Sequence, residues 1–179
     1  MNSFVATGGV ERIVGDFKVH TFYRSESFLV KQGSSLLEVL VVGGGGSGGP
    51  GIHLGGSGGG ALQTITRGLI REGEYRVSVG SGGVKNSSGQ ESSVFGIRAA
   101  GGASYEKEPG IAVWHGSSDK SAFISDISGE LKRYAGNGGN NLINSKEAAE
   151  SGQYKNGGGG GFGNYGDGFD GIVVIRYRA

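Results

Sequence analysis

The sequence predicts an all-β fold, an antiparallel, jelly-roll-like β-sandwich joined to a packed layer of polyglycine II segments. Three observations support this prediction. Short apolar or alternating segments recur at the spacing of about 8–12 residues that is typical of β-sandwiches. Glycine contributes 41 of the 179 residues, and proline only 2. Most of the predicted strands begin or end next to a glycine.

The clearest strand covers residues 36–42, a short run rich in leucine and valine. A short apolar run that ends at a helix breaker is typical of a buried strand. This one continues without interruption into residues 43–60, where 12 of the 18 residues are glycine. We expect the rest of the chain to be arranged around these two adjoining segments.

Ordering glycine is unfavourable, because fixing its backbone costs about 0.5–1 kcal/mol more in conformational entropy than fixing that of alanine. Over 41 residues the upper bound on this extra cost is on the order of 20–40 kcal/mol. Backbone hydrogen bonds, at about 1 kcal/mol each, can offset it where glycine segments lie side by side. The polyproline II conformation suits such packing, because its backbone groups point outward. Residues 43–49 would then form a rod of about 22 Å that only glycine allows.

The remaining strands follow from alternation of apolar and polar side chains. Residues 17–22 alternate, with Phe17, Val19 and Thr21 predicted to point inward. Residues 75–79 alternate in the same way. Further strands are predicted at residues 10–14, 25–30, 61–70, 92–95, 97–100 and 172–177. The last of these needs a sheet to join, and its natural partner is residues 36–42 or 75–79.

The pattern predicts one glycine-rich β domain over residues 1–179. Residues 103–150 form a non-glycine insertion between two glycine blocks, and they contain the only tryptophan. Within the insertion, residues 144–150 are compatible with one or two helical turns, with Asn144 or Ser145 as the N-cap.

Composition and motifs exclude several classes of function. Residues 43–48 fit the glycine pattern of a dinucleotide site, but Pro50 and more glycine follow where that motif requires a helix. The 17 basic and 16 acidic residues are balanced, so no nucleic-acid partner is expected. No apolar run reaches 18 residues, so no membrane insertion is expected. The chain has no cysteine for disulfides or thiolate metal sites.

Catalysis and cofactor binding are not expected. The three histidines show no metal-ligand spacing, and His20 is predicted to lie on a solvated strand face. Asn164, Asp167 and Asp170 are close enough in sequence to suggest calcium, but the acidic loop of a calcium motif is missing. The alternative, which we favour, is that these side chains stabilise turns between glycine rods. We therefore predict no catalytic residue, no metal site and no cofactor.

Aromatic side chains set among glycines are the best candidates for recognition, since glycine cannot cover them. Exposed aromatic rings on a rigid platform suit contacts with sugar rings or protein surfaces. The alternative is that they cap the glycine layer or pack on the sheet. The predicted receptor-binding residues are Tyr105, Trp114, His115, Tyr134, Tyr154, Phe162, Tyr165 and Phe169.

The order of the segments resembles a known family. The segments are ATGG at 6–9, FKVHTF at 17–22, LEVLVVGGGG at 37–46, GGGA at 58–61, YRVSVGSGG at 75–83, SSVFG at 92–96 and GIVVIRY at 171–177. In this order they resemble the glycine-rich domain of bacteriophage tail and fibre proteins. The resemblance implies a virion component, and some relatives carry receptor-binding tips on packed polyglycine II rods. The insertion at residues 105–150 departs from the family pattern.

The resemblance and the aromatic residues lead to one functional hypothesis. The chain would be a non-enzymatic bacteriophage virion protein, a tail or fibre component that presents loops for host-surface recognition. Its partners would be other virion proteins and a host receptor, either a glycan or an outer-membrane protein. Fibres are often threefold, so a homotrimer is expected. The alternative is a capsid decoration or head-fibre protein without direct receptor binding, which the lack of a long N-terminal attachment region favours.

Overall fold

The computed structural model of the protein describes residues 4–49, 56, 59–104, 123–136 and 167–179. Regular secondary structure in these residues consists of strands alone. The twelve strands are β1 (Val5–Thr7), β2 (Val10–Val14), β3 (Phe17–Phe22), β4 (Glu26–Gln32), β5 (Glu38–Val42), β6 (Ala61–Ile65), β7 (Gly73–Val77), β8 (Ser92–Val94), β9 (Ile97–Ala99), β10 (Phe123–Ser125), β11 (Lys132–Tyr134) and β12 (Ile172–Arg178). The helical turns predicted at residues 144–150 lie outside the described residues.

Five strands form the first sheet in the order β2-β3-β12-β5-β6, and every neighbouring pair is antiparallel. The C-terminal strand β12 lies at its centre. Val174 is opposite Thr21 of β3 on one side and opposite Leu40 of β5 on the other. Of the two partners predicted for the last strand, the structure has the one at residues 36–42.

The second sheet has the order β1-β4-β7, again antiparallel. A bridge between Ser78 and Ser93 joins it to the β8–β9 hairpin. The two sheets pack against each other across a shared apolar core. The predicted antiparallel sandwich is confirmed.

Aromatic rings fill much of the core between the sheets. Phe28 of β4 is fully buried, and its ring meets those of Phe22 and Phe95 edge to face, with centroid distances of 6.4 and 5.8 Å. Phe95 lies in the two-residue turn between β8 and β9 with φ of 52°, which is uncommon for a bulky residue. Gly96 follows with φ of 78°, so the turn has the positive φ values of a type I′ hairpin. The packing of the Phe95 ring offsets its backbone strain.

The outer face of the first sheet is covered as well. Residues 123–136, which belong to the predicted insertion, form the β10–β11 hairpin. Its Ile127 and Tyr134 are buried in a cluster with Leu40 and Val174 of the sheet. Strands β5 and β12 are thus covered on both faces, which explains why their sequences are continuous apolar runs rather than alternating ones.

Strand β6 ends at Ile65, five residues before the end of the predicted strand. The cause is Thr66, whose buried side chain satisfies backbone groups. Its hydroxyl accepts a hydrogen bond from the Leu37 N–H at 3.1 Å and donates one to the Gly68 carbonyl at 3.0 Å. A hydroxyl that bonds its own backbone two residues on favours a turn over a strand.

Residues 43–49 extend β5 into the glycine layer, where they are buried throughout. We call them the central segment. Its neighbours in the layer are residues 56, 59–60, 80–83, 87–91, 100–103 and 167–171. Gly44 illustrates the bonding: its N–H donates to the Gln90 carbonyl at 2.9 Å, and its carbonyl accepts from the Gly102 N–H at 2.8 Å.

The N–H and carbonyl of Gly44 therefore serve two different segments. In an antiparallel ladder a hydrogen-bonded residue exchanges both bonds with one partner. Bonding in several directions around one axis is what outward-pointing polyglycine II backbones allow. The packed layer of glycine segments predicted from the sequence is thus present in the structure.

The surrounding segments also bond to one another, in a fixed order around the central segment. The bonds are Gly60 N–H to Ala100 O, Gly89 N–H to Gly102 O, Gln90 N–H to Ser81 O, Gly168 N–H to Gly83 O and Gly171 N–H to Gly80 O, all at 2.8–2.9 Å. These segments lead directly into strands. Residues 59–60 immediately precede β6, and residues 167–171 immediately precede β12. The layer therefore aligns the strand ends of both sheets.

Glycine is required in the layer by lack of space rather than by backbone conformation. A Cβ on Gly43 or Gly44 would lie 2.1 Å from the carbonyl oxygen of Ala100 or Ser81, and one on Gly46 would lie 2.0 Å from that of Ala103. None of these three glycines has a positive φ. The obstructing atoms are backbone, so they cannot rotate away as a side chain could.

We predict that Gly44→Ala destabilises the protein by more than about 3 kcal/mol, because the new methyl group must displace backbone of the layer. Gly68→Ala is the matched control: an added Cβ meets nothing within 4 Å, and the residue lies in an exposed loop. We expect the control to stay within about 0.5 kcal/mol of the parent. Urea denaturation of both variants measures the difference, and similar free energies of unfolding would contradict the packing described above.

Candidate functional site

Two of the eight predicted receptor-binding residues, Tyr134 and Phe169, belong to the described part of the chain. The other six lie outside the described residues: Tyr105, Trp114, His115, Tyr154, Phe162 and Tyr165. Their role in recognition stays a prediction.

Tyr134 is not an exposed aromatic residue at a loop tip, which is a correction to the sequence-based expectation. Its side chain is 1% exposed and packs on the outer face of the first sheet. Its hydroxyl is 3.3 Å from the Ser128 Oγ. Burial raises the pKa of Tyr134 above the usual value for tyrosine. The ring is thus a means of attaching the hairpin to the sheet.

Phe169 is half-buried and belongs to the glycine layer through its backbone. Its carbonyl accepts the Gly45 N–H at 2.8 Å. Next to it, Asp170 Oδ1 accepts the Gly82 N–H at 2.8 Å, a contact between two segments of the layer rather than within a turn. Asp167 is exposed, and Asn164 lies outside the described residues. Among the described residues no three His, Asp or Glu side chains are grouped to hold a metal ion.

A chain of polar contacts joins the hairpin to the sheet. The Ser125 hydroxyl donates to Gln63 Oε1 at 2.6 Å, and the Gln63 amide donates to Glu38 Oε1 at 2.7 Å. Arg176 binds Glu38 Oε2 through Nε at 2.8 Å and Nη2 at 2.7 Å. The Arg176 guanidinium also lies over the Phe17 ring, 5.1 Å from its centroid. These contacts explain the one charged residue, Glu38, at the start of an otherwise apolar strand.

A small cleft of about 40 Å³ lies between the outer face of β2 and β3 and the β10–β11 hairpin. Its described lining contains aliphatic side chains, hydroxyl groups and two cations. These residues are Val10, Arg12, Val19, Thr21, Tyr23, Ser128, Lys132, Tyr134, Ile172 and Val174. No carboxylate belongs to this described lining, and Glu130 lies just outside it, 3.2 Å from Lys132.

The two cations of the cleft differ in their partners. Arg12 is exposed on β2 and makes no ion pair with the part of the chain that the structure describes. Lys132 is 43% exposed and lies 3.2 Å from Glu130, a pair of the exposed kind that contributes little stability. Tyr23 is 58% exposed, so its ring is accessible beside both cations.

A larger, open groove of about 470 Å³ lies along β4 and β7. Its polar side chains are mostly engaged with one another or with backbone. Ser27 Oγ donates to Glu74 Oε1 at 2.5 Å, and the Ser25 Oγ accepts the Val79 N–H at 3.0 Å. Glu26 is paired with Arg24 at 2.6 Å. The groove therefore offers few free polar groups to a ligand.

His20 is fully buried, so the prediction that it lies on a solvated face is wrong. Its Nδ1 is 2.8 Å from the Gly8 carbonyl, which can only accept, so Nδ1 carries the hydrogen. Its Nε2 then accepts a bond from the Tyr177 hydroxyl at 3.1 Å. Glu11 lies 3.9 Å from Nδ1 and is held by Lys18 at 2.8 Å. The alternating pattern predicted one solvated face of β3, whereas both of its faces are covered.

Burial sets the protonation of this cluster. It lowers the pKa of His20, and the bond to Gly8 and the charge of Glu11 offset this only in part. It also raises the pKa of Tyr177 to about 12. The histidine is therefore neutral in the folded protein at neutral pH, and it serves to join the β1–β2 connection to β12.

The comparison with protein families bears on the glycine layer. The model of the glycine-rich domain family matches residues 23–125, more than half of the chain. The chain belongs to this family. A comparison with curated proteins finds no match. The family region covers β4 through β10 and every described segment of the glycine layer except residues 167–171. The hydrogen-bonded core of the layer therefore lies within the part of the chain that the family model matches.

Among the described residues no helix is long and apolar enough to cross a membrane.

Sequence reasoning missed Arg12, Tyr23 and Lys132 as residues of one surface. Tyr23 and Arg12 lie in separate strand regions, and Lys132 is more than 100 positions further along the chain. The hairpin's position on β2 and β3 brings them together. The one usable signal is local: Tyr23 directly follows the last residue of β3, where an aromatic ring leaves the covered part of the sheet.

We predict that the protein becomes less stable as the pH falls, because the unfolded chain protonates His20 more readily than the folded protein does. Its folded pKa is below the ordinary value of about 6.5, so only the unfolded chain binds the proton just below that pH. The free energy of unfolding should therefore decrease as the pH falls below about 6.5, by at most about 1.4 kcal/mol per pH unit. His20→Gln removes the titrating group. Urea denaturation between pH 7 and 5 should show a smaller decrease for this variant, and parallel curves would contradict the assignment.

We predict that Tyr134→Ala destabilises the protein by about 3–5 kcal/mol, because it empties a packed site under the hairpin. Tyr134→Phe should cost only about 1 kcal/mol, since it loses one hydrogen bond. Tyr23→Ala, at an exposed ring, should change stability by less than about 0.5 kcal/mol. Urea denaturation compares the three variants. If Tyr134→Ala were as mild as Tyr23→Ala, the hairpin would not be held as described.

Proposed function

We propose that this protein is a non-enzymatic structural component of a bacteriophage virion, a tail or fibre component that presents loops for host-surface recognition. The observation that supports this most is the glycine layer, in which a fully buried central segment is bonded on several sides to other segments. Such a layer is held by backbone, so surface loops can vary around it while its geometry stays the same.

The layer suits a protein that must hold its shape outside the cell. Its contacts are bonds between peptide groups, and a Cβ at the tightest positions would collide with a neighbouring carbonyl. Membership of the glycine-rich domain family is consistent with this role. The order of glycine runs and strands, which resembles phage tail and fibre proteins, supplies the virion part of the proposal.

Recognition would come from side chains outside the layer. The aromatic residues predicted for this role, apart from Tyr134, remain its candidates, with Trp114 and Tyr165 foremost. Partners would be neighbouring virion proteins and a host receptor, and the assembly would be a homotrimer. A capsid decoration or head-fibre protein without receptor contact is the second candidate.

Immunogold labelling of intact particles, with antibodies raised against the purified chain, tests the location. Labelling at the tail or its fibres supports the proposal, and labelling spread over the capsid supports the second candidate. Particles without label, in a preparation whose major capsid protein is labelled, would overturn both.

We predict that pre-incubating host cells with the purified protein slows phage adsorption, and that the double variant Trp114→Ala, Tyr165→Ala reduces this competition about ten-fold. The reason is that a few aromatic residues carry most of the binding energy of a recognition surface. The matched control is Leu131→Ala, which removes an exposed aliphatic side chain at the hairpin. Equal competition by the double variant and the parent would remove these residues from the receptor contact.

A further inference from the structure

The cleft under the β10–β11 hairpin has the features of a further binding site, to which the proposed function assigns no role. Its floor is made by aliphatic side chains of the first sheet, including Val19 and Val174. Its volume of about 40 Å³ accommodates one small polar group and not a whole ring. For comparison, one water molecule has a share of liquid volume of about 30 Å³.

The charge of the cleft selects the kind of group it takes. Arg12 and Lys132 line it, and its described lining contains no carboxylate. Arg12 is exposed and has no ion-pair partner among the described residues, and a guanidinium presents a planar fork of donors that matches a carboxylate. Lys132 has its neighbour Glu130 at the surface, where exchange for another carboxylate has a small energetic cost.

The rim adds a second kind of contact. Tyr23 is 58% exposed beside the cations, so one side of its ring is open to a ligand. Aromatic rings offer an apolar face and, in tyrosine, a polar hydroxyl tip. Thr21, which carries a hydroxyl group, also lines the cleft. A ligand that combines a carboxylate with a flat apolar face and hydroxyl groups would use all three features.

We propose that this cleft binds an acidic saccharide, with the sugar carboxylate in the cleft at Arg12 and Lys132 and the face of the sugar ring on Tyr23. For its biological setting this inference rests on the proposed role in host-surface recognition. It names the chemical class of the glycan, and it adds a contact on the sandwich to the aromatic residues predicted from the sequence. The groove along β4 and β7 is a weaker candidate, because its carboxylates are already bonded to Arg24 and Ser27.

The test is a titration of the purified full chain with two sugars that differ in one group. Methyl glucuronide carries a carboxylate at C6, and methyl glucoside carries a hydroxymethyl group there. Amide chemical shifts of Thr21 and Lys132 report binding at the cleft. We expect saturable shifts with the glucuronide and binding at least about ten-fold weaker with the glucoside, because a charge-assisted bond is lost.

Variants locate the contact. Arg12→Gln should weaken glucuronide binding about ten-fold, and Tyr23→Leu should weaken both sugars. Arg98→Gln is the matched control, since Arg98 is an exposed arginine paired with Glu91 at 2.9 Å in the β8–β9 region. It should leave binding unchanged.

Two further probes decide the ligand class. Acetate binding as tightly as the glucuronide would show a site for carboxylates without a sugar contact, and a glutamate-rich peptide binding more tightly would show a peptide site. Either result overturns the saccharide assignment, as does unchanged glucuronide binding by Arg12→Gln. These measurements use isolated protein, so their outcome is independent of the location in the particle. A chain that binds the glucuronide but is missing from virions would keep the site and remove the proposed function.

Discussion

Hydrogen bonds between glycine backbones are the constraint on which the rest of this structure depends. The central segment at residues 43–49 is buried along its whole length, and other segments bond to it and to one another. Peptide groups can approach this closely only where no Cβ stands between them, as the distance of 2.1 Å for a Cβ on Gly44 shows. The energy that apolar side chains supply in most domains is here supplied in part by the main chain.

The layer and the sandwich are continuous with each other. Strand β5 runs directly into the central segment, and residues 167–171 run into β12 beside it. Because the segments have a fixed order in the layer, the strands that follow them enter the sandwich already aligned. The apolar core between the sheets and the covered outer face of the first sheet then stabilise this alignment. The buried His20 and the partly buried Glu38 join the elements with hydrogen bonds.

The glycine layer and the surface of the sandwich differ in how far they tolerate substitution. Substitution is restricted within the layer, where the neighbouring atoms are backbone. The β10–β11 hairpin lies on the sandwich instead, and its residues can change without disturbing the layer. Tyr134 and Ile127 hold the hairpin in place, while Lys132 of the hairpin and Arg12 and Tyr23 of the sheet face the cleft beneath its edge. The recognition proposed for this surface needs no catalytic group.

The sequence by itself determined the strand class, the sandwich and the layer, because each follows from local composition. The apolar run that ends in Val42, the glycines that follow it and the alternation at residues 75–79 are visible without any partner. Only the tertiary structure decided which faces are covered. Tyr134 and His20 are buried because a hairpin distant in sequence covers one face of the first sheet and the second sheet covers the other. The cleft likewise joins Arg12 to Lys132 across the fold, and a periodic pattern along one strand carries no information about what packs on it.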